Sequence, residues 1–259
     1  MPPRLSTVKL ARPMRQSLGQ RRQGQPQLMH GYGLCCWSSI MRTPKLVIFD
    51  CDGVMVDSRE ADRCFYNDIL SAFGCPPMTR EQTDYVFMHD ARTGLRFLFR
   101  DHPEVSAAEV EMVAAESDFT PYLRRMTLVP GLVDFLHALR RHGFTAISTN
   151  RAGSMQELLA AFELSHLFDF VMTAAVAPMP KPAPDGMALI LGHFGLQPEE
   201  ALYLGDTLVD AQYAAASGVP FVAFGNPVLE ARYHAATFAE VRALPPVQAL
   251  LAGAPRPRP

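Results

Sequence analysis

Asp50 and Asp52 stand one residue apart, directly after the unbroken apolar run of residues 46 to 49 in KLVIFDCDGVMVDS. Two carboxylates that close repel each other, and a bound cation is the commonest reason to keep such a pair. Asp and Gly are also ordinary turn formers, so an acidic turn after a strand is the competing reading of this stretch alone. Three more polar clusters follow apolar runs: Thr149 and Asn150 after FTAIS, Lys181 in PMPKPAPDG, and Asp206 with Asp210 in GDTLVD. Three or four uncompensated carboxylates would be strongly repulsive, so a hard divalent cation is implied. Oxygen-only ligands with room for water favour Mg2+. A lysine and a hydroxyl beside that ion would hold the oxygens of a phosphoryl group. The chain has three lysines against 21 arginines, so a lysine held between prolines points to use of its compact charge. The local alternatives are Thr149 as a helix cap, Asn150 as a turn former, and Asp206 or Asp210 as caps of the helix beginning near Thr207.

The elements that must position these residues follow from periodicity. Residues 46 to 49 have the pattern of a strand buried on both faces of a parallel sheet. Strands are also expected at 144–148, 170–173, 201–204 and 221–224. Helices are expected at 131–142, 185–194 and 208–217, with another capped by Ser154 and Glu157. Alternating strands and helices predict an α/β fold with a doubly wound parallel sheet. Its strands share one carboxyl edge, so all four polar clusters emerge together.

Between the first and second strands no strand pattern occurs. Ala61, Phe65, Ile69 and Phe73 make one helical stripe over 58–73. Thr79 with Gln82 and Ser106 with Glu109 look like capping boxes opening two further helices, and TGLRFLFR between them is helical in character. This predicts a small all-helical cap over 58–126, inserted into a core made of 45–57 and 127–250. A loop with His89, Asp90 and Arg92 falls between two cap helices. An arginine there could hold a second anionic group of a substrate.

The ends differ in composition. Residues 1–44 hold seven bases and no acid, leaving 17 bases against 26 acids in the remainder. That acidic remainder argues against nucleic acid as a partner. The Gln-, Pro- and Arg-rich segment reads as a disordered, dispensable tail, with a start at Met41. Its composition also fits an organelle transit peptide, although prolines at 2, 3, 13 and 26 count against the amphipathic pattern. The last residues, 251–259, read as a frayed Pro-rich tail. No apolar run is long enough to span a bilayer, so no membrane is expected. Five cysteines with neither metal-knuckle nor disulfide spacing fit a reducing, cytoplasmic setting, and Cys51 reads as a packing residue.

DCDGV, a strand ending in Thr149, a lysine followed by proline, and GDTLVD, in this order and spacing over about residues 45 to 225, resemble the haloacid dehalogenase-like hydrolase superfamily. The likeness is to its phosphoglycolate phosphatase and β-phosphoglucomutase-like subgroup, which carries a helical cap after the first motif. The resemblance implies a Mg2+-dependent phosphatase acting on a small phosphorylated metabolite. Asp50 would be the nucleophile that forms an aspartyl-phosphate, and Asp52 the general acid and then base. Thr149, Asn150 and Lys181 would bind the phosphoryl group, and Lys181 would also screen the nucleophile. The metal would sit among Asp50, the backbone carbonyl of Asp52, Asp206 and, behind it, Asp210. Dehalogenases of the family lack the second aspartate, and phosphonate-cleaving members use a cap lysine, absent from residues 57–128 here. Mutases usually carry Glu-Asp where this chain has Gly205-Asp206. A sugar-phosphate mutase and a catalytically silent binding protein on the same fold are the alternatives.

Overall fold

The computed structural model describes residues 42–256 apart from Met88, Asp90 and Ala152. Most of the basic tail, Met41 as a start, Asp90 of the cap loop and residues 257–259 lie outside the described residues.

Strand β1 (Leu46–Phe49) is central, paired in parallel with β4 (Phe144–Thr149) on one side and β6 (Ala201–Gly205) on the other. β5 (Phe170–Thr173) lies outside β4, and β7 (Phe221–Phe224) outside β6. A sixth strand that periodicity did not reveal, β8 (Tyr233–Ala235), completes the order β5-β4-β1-β6-β7-β8. It has only three residues with its central histidine exposed, too short for a two-residue period to register.

Alternation along the strands sorts side chains to two faces. Val47, Phe49, Ile147, Leu202 and Leu204 pack with helices α5 (Leu132–Leu139) and α6 (Met155–Ala161). They also meet α9 (Phe238–Ala243) and α10 (Pro245–Leu251) in the same cluster. Leu46, Ile48, Ala146, Tyr203 and Phe221 pack on the other face with α7 (Asp185–Phe194) and α8 (Leu208–Ser217). β1 is fully buried because helices cover both faces, as its continuous apolar run requires.

Two short strands, β2 (Val56–Asp57) and β3 (Thr127–Leu128), pair antiparallel where the chain leaves the core and where it returns. Between them α1 (Arg59–Ala72), α2 (Arg80–Phe87), α3 (Ala91–Leu98) and α4 (Ala107–Glu116) surround a separate apolar cluster of Tyr66, Ile69, Leu70, Val86, Leu95, Leu98 and Val110. This is the cap. The Thr79–Gln82 capping box forms, with Thr79 Oγ1 accepting from the Gln82 amide at 3.2 Å and the Gln82 side chain accepting from the Thr79 amide at 2.8 Å. The Ser106 and Ser154 caps do not form: neither hydroxyl accepts a bond from its helix.

As far as Arg256 the C-terminal segment departs from the frayed tail read from its prolines. Arg256 donates to both oxygens of Asp169 at 2.9 Å, and its amide donates to the Arg141 carbonyl at 2.7 Å. Its guanidinium also lies 4.1 Å from the Phe144 ring. A bidentate fork plus an aromatic face holds a segment that lacks secondary structure of its own.

Candidate active site

The carboxyl ends of β1, β4 and β6 and the loop after β5 bring the four clusters together. Lys181 is the hub. Its Nζ donates to Asp50 Oδ1 at 2.9 Å, to the Tyr203 hydroxyl at 2.9 Å and to Asp210 Oδ1 at 2.7 Å, which satisfies all three ammonium hydrogens. Only 6% of the lysine side chain is exposed, and burial opposes its charge. Asp210 and Asp50 outweigh that and hold the ammonium firmly protonated.

The lysine is delivered by Asn150. The Asn150 side chain accepts from the Lys181 amide at 2.9 Å and donates to the Lys181 carbonyl at 3.1 Å, clamping both backbone groups of one residue. Thr149 ends β4 with its hydroxyl accepting from the Arg151 amide at 3.1 Å. The amide of Asn150 is therefore committed to the lysine loop rather than turned to an incoming group.

Asp210 is fully buried, with every lone-pair direction engaged: Oδ1 accepts from Lys181 and Tyr203, and Oδ2 from the Thr207 amide and hydroxyl. Thr207 and Asp210 form the capping box that opens α8. Burial disfavours the Asp210 carboxylate, but Lys181 and the hydrogen bonds from Lys181, Thr207 and Tyr203 keep its pKa below the ordinary value.

Asp206 is the opposite case. Its Oδ1 is the one buried side-chain oxygen among the described residues without a hydrogen-bond partner. Burial, then Asp50 and Asp210, push its pKa up to about 8, and burial with Asp210 pushes Asp50 up to about 7 despite Lys181. Asp50, Asp206 and Asp210 each place a carboxylate oxygen within 4.8 Å of the others. A hard divalent cation supplies what this cluster lacks, a charge and a partner for the orphan oxygen. Gly53 makes room for it: at φ +78° a Cβ there would sit 2.0 Å from Asp206 Oδ2. The donor set fits Mg2+.

Asp52 points elsewhere. Its Oδ1 accepts from Arg151 Nη2 at 2.6 Å and its Oδ2 from Arg151 Nε at 3.2 Å. Partial burial opposes its ionisation, but Arg151 prevails and lowers its pKa. Its carboxylate is not part of the Asp50, Asp206 and Asp210 cluster.

Residues 47–224 match the family described as haloacid dehalogenase-like hydrolase. The chain belongs to the haloacid dehalogenase-like hydrolases. It is 31% identical to a phosphoglycolate phosphatase of Rhodobacter capsulatus over 210 residues, 77% of this chain and 94% of that protein. Phosphoglycolate phosphatase 1 of Pseudomonas aeruginosa is 29% identical, covering 73% of this chain and 74% of its own. A solved haloacid dehalogenase-superfamily hydrolase of subfamily IA from Geobacter sulfurreducens is 36% identical, with TM-score 0.65 over 78% of this chain and 96% of that one. A β-phosphoglucomutase from Clostridium difficile shares the fold alone, with 16% identity and TM-score 0.67 over 76% and 93% of the two chains. Among the described residues no helix is long and apolar enough to cross a membrane.

Two residues of this hydrolase site escaped the sequence reading. Tyr203 is an apolar filler by pattern, and the only signal was that a buried tyrosine hydroxyl needs a partner. Arg151 lies one residue past the Thr149–Asn150 cluster, within the strand-end zone that had marked the others. Arg92 is placed differently from its reading: it is the second residue of α3 rather than a loop residue. Its Nε lies 3.3 Å from Glu111, a carboxylate shared with Arg96 at 3.3 Å. Among the described residues no hydrogen bond or ion pair joins it to Asp50, Asp52 or Lys181. His89 stacks on Tyr85, with centroids 4.0 Å apart, and its Nδ1 meets the Tyr85 carbonyl at 2.8 Å.

Proposed function

We propose that this hydrolase is a Mg2+-dependent phosphatase of a small phosphomonoester, working through an aspartyl-phosphate on Asp50. The observation that carries the reading is the orphan Asp206 oxygen beside a nucleophile already held by Lys181. A bound Mg2+ would neutralise charge on the phosphoryl oxygens, held by Asp50, the Asp52 carbonyl and Asp206, with Asp210 behind. Lys181 orients Asp50 and, by exchanging one of its three present bonds, meets an oxygen of the transferring group beside the Thr149 hydroxyl. Asp50 attacks phosphorus, and Asp52 gives its proton to the departing alcohol. Asp52 then takes a proton from the water that releases phosphate. Arg151 favours the ionised form of Asp52, the form that accepts that proton, and binding of the dianionic ester favours its protonation. The similarity to phosphoglycolate phosphatases supports 2-phosphoglycolate as the first substrate to try. Gly205 in place of the glutamate usual in mutases supports hydrolysis over mutase chemistry. Buried Cys51 and Cys75, both free thiols, support a reducing cytoplasm as the setting.

The test is hydrolysis of 2-phosphoglycolate and p-nitrophenyl phosphate by purified protein. Turnover should require Mg2+ and vanish in excess chelator, and Asp50→Asn should lower kcat by at least about three decades while circular dichroism shows the fold retained. Activity surviving chelation, or an active Asp50→Asn enzyme, overturns the reading.

A further inference from the structure

Arg151 uses every face of its guanidinium. Nη2 and Nε grip Asp52 at 2.6 and 3.2 Å, while Nη1 donates to Ser154 Oγ at 3.1 Å. Its charge centre lies 4.8 Å from the Phe119 ring, and Nη2 lies 3.9 Å from Asp62 Oδ1. Asp52 and Ser154 belong to the core. Asp62 lies on α1 of the cap, and Phe119 on the cap's return path just before a 3-10 helix, Thr120–Arg125. Ser58 Oγ holds the far oxygen of Asp62 at 2.7 Å at the point where the chain enters the cap. Only 9% of the arginine side chain is exposed, against 35% for Asp52.

We propose that Arg151 is the positioning residue that ties the proton-transferring carboxyl of Asp52 to the cap, anchoring its Oδ1 and leaving Oδ2 to exchange the proton. The proposal rests on the phosphatase reading above. A carboxyl with both oxygens in a fork cannot pass a proton, so one contact must yield. The two contacts are unequal: the 2.6 Å bond to Oδ1 is the anchor, and the 3.2 Å bond to Oδ2 is the one that opens. In the first half-reaction the proton on Oδ2 moves to the leaving alkoxide oxygen as the ester P–O bond breaks and the Asp50 O–P bond forms. In the second, Oδ2 takes a proton from water as its oxygen attacks phosphorus and the Asp50 O–P bond breaks. Arg151 exchanges no proton itself, and its 3.2 Å contact to Oδ2 is the one that opens before the transfer. It acts through Asp52, and the position of the cap reaches Asp52 through Phe119 and Asp62. Lysine would not serve equally, since a point charge cannot hold one oxygen while releasing the other in a fixed plane. Ser154 supports this division. Its backbone is left-handed at φ 55°, and its hydroxyl serves Arg151 rather than its own helix.

The merely structural alternative is that Arg151 neutralises two half-buried carboxylates, and leaving-group dependence separates the two. An alkyl phosphate such as 2-phosphoglycolate needs a proton on its leaving oxygen, whereas nitrophenolate leaves without one. The measured quantity is kcat/KM with Mg2+, which reports the steps up to phosphoryl transfer to Asp50. Arg151→Ala should lower it about 100-fold for the alkyl ester and no more than about 3-fold for p-nitrophenyl phosphate. Arg151→Lys should fall between, at about 10-fold on the alkyl ester. Phe119→Leu approaches the same guanidinium from the cap and keeps the buried charges paired, so it serves if Arg151→Ala does not fold. It should lose about 3- to 10-fold, again on the alkyl ester alone. Equal losses on both esters, or no loss on either, overturn the proposal. A wild-type chain that hydrolyses neither ester overturns the phosphatase reading and this one with it, a result distinct from an active wild type with unselective variants.

Discussion

Tyr203 shows how a single hydroxyl sets the electrostatics of the site. It donates to Asp210 Oδ1 at 2.5 Å and accepts from Lys181 at 2.9 Å, so it stands between the lysine and its buried counter-charge. Replacing it by phenylalanine keeps the ring packing against Tyr213 and Phe221 and removes one of the two donors to Asp210 Oδ1. Tyr203→Phe should destabilise the fold by about 1 to 2 kcal/mol in chemical denaturation, the cost of weakening one buried hydrogen bond to a charged group. A variant of unchanged stability would mean that Lys181 alone satisfies Asp210 Oδ1. Gly53 has a sharper requirement, because a methyl there would overlap the Asp206 carboxylate. Gly53→Ala should lose Mg2+ binding in titration calorimetry and at least about 100-fold in kcat/KM, since the metal's charge stabilisation would go with it. Retention of both would show that Asp206 can turn aside without cost.

Loops rather than strands deliver the chemistry, and the Asn150–Lys181 clamp is the clearest instance. Asn150→Ala removes two hydrogen bonds to the Lys181 backbone without touching its ammonium. It should lower kcat/KM on both alkyl and aryl esters by about 10- to 100-fold, because a misplaced lysine misorients Asp50. A loss confined to one ester would assign Asn150 to substrate recognition instead. Such clamps mark the limit of what the chain alone reveals. The strands were legible because β1, β5 and β7 are short apolar runs bounded by turn residues, and the polar clusters were legible because parallel strands share an edge. Which partner each polar group takes was not. Ser154 read as a helix cap from its spacing to Glu157, but the competing donor Arg151 claims its hydroxyl. Asn150 read as a phosphoryl ligand, yet its amide is committed to a loop 31 residues away. Arg92 read as a loop residue, although α3 begins before it and Glu111 of α4 pairs with it. Each of these outcomes depends on a distant residue that local periodicity does not encode.

At the scale of the whole molecule the site is a concentration of unbalanced negative charge at the edge of a sheet. Among Asp50, Asp52, Asp206 and Asp210 the cations supplied by the chain are Lys181 and Arg151, and both are fully committed. Asp52 and Asp210 have folded pKa values below the ordinary one, so the stability they contribute is fully present above the unfolded value near 4 and is lost only as pH falls through their lower folded values. Above pH 4 or so they no longer change the balance. Asp206 and Asp50 behave in the reverse sense. With folded pKa values raised to about 8 and about 7, the folded chain binds protons that the unfolded chain has already lost, so stability declines as pH rises from about 4 to about 8. Asp62, raised to about 7 by burial and by Asp52, adds to the same decline. A divalent cation replaces the protons on Asp206 and Asp50, so binding it must release protons and strengthen as pH rises over this window. The metal-free protein should therefore melt at a lower temperature at pH 8 than at pH 5.5. Saturating Mg2+ should raise the melting temperature at least about twice as much at pH 8 as at pH 5.5, by mass action on the folded state. In Asp206→Asn the decline with pH should flatten and the Mg2+ effect should shrink at both pH values, because the neutral amide carries no charge for a cation to balance. An Mg2+ shift that is the same at both pH values, or that survives intact in Asp206→Asn, would show that the cation binds outside this cluster.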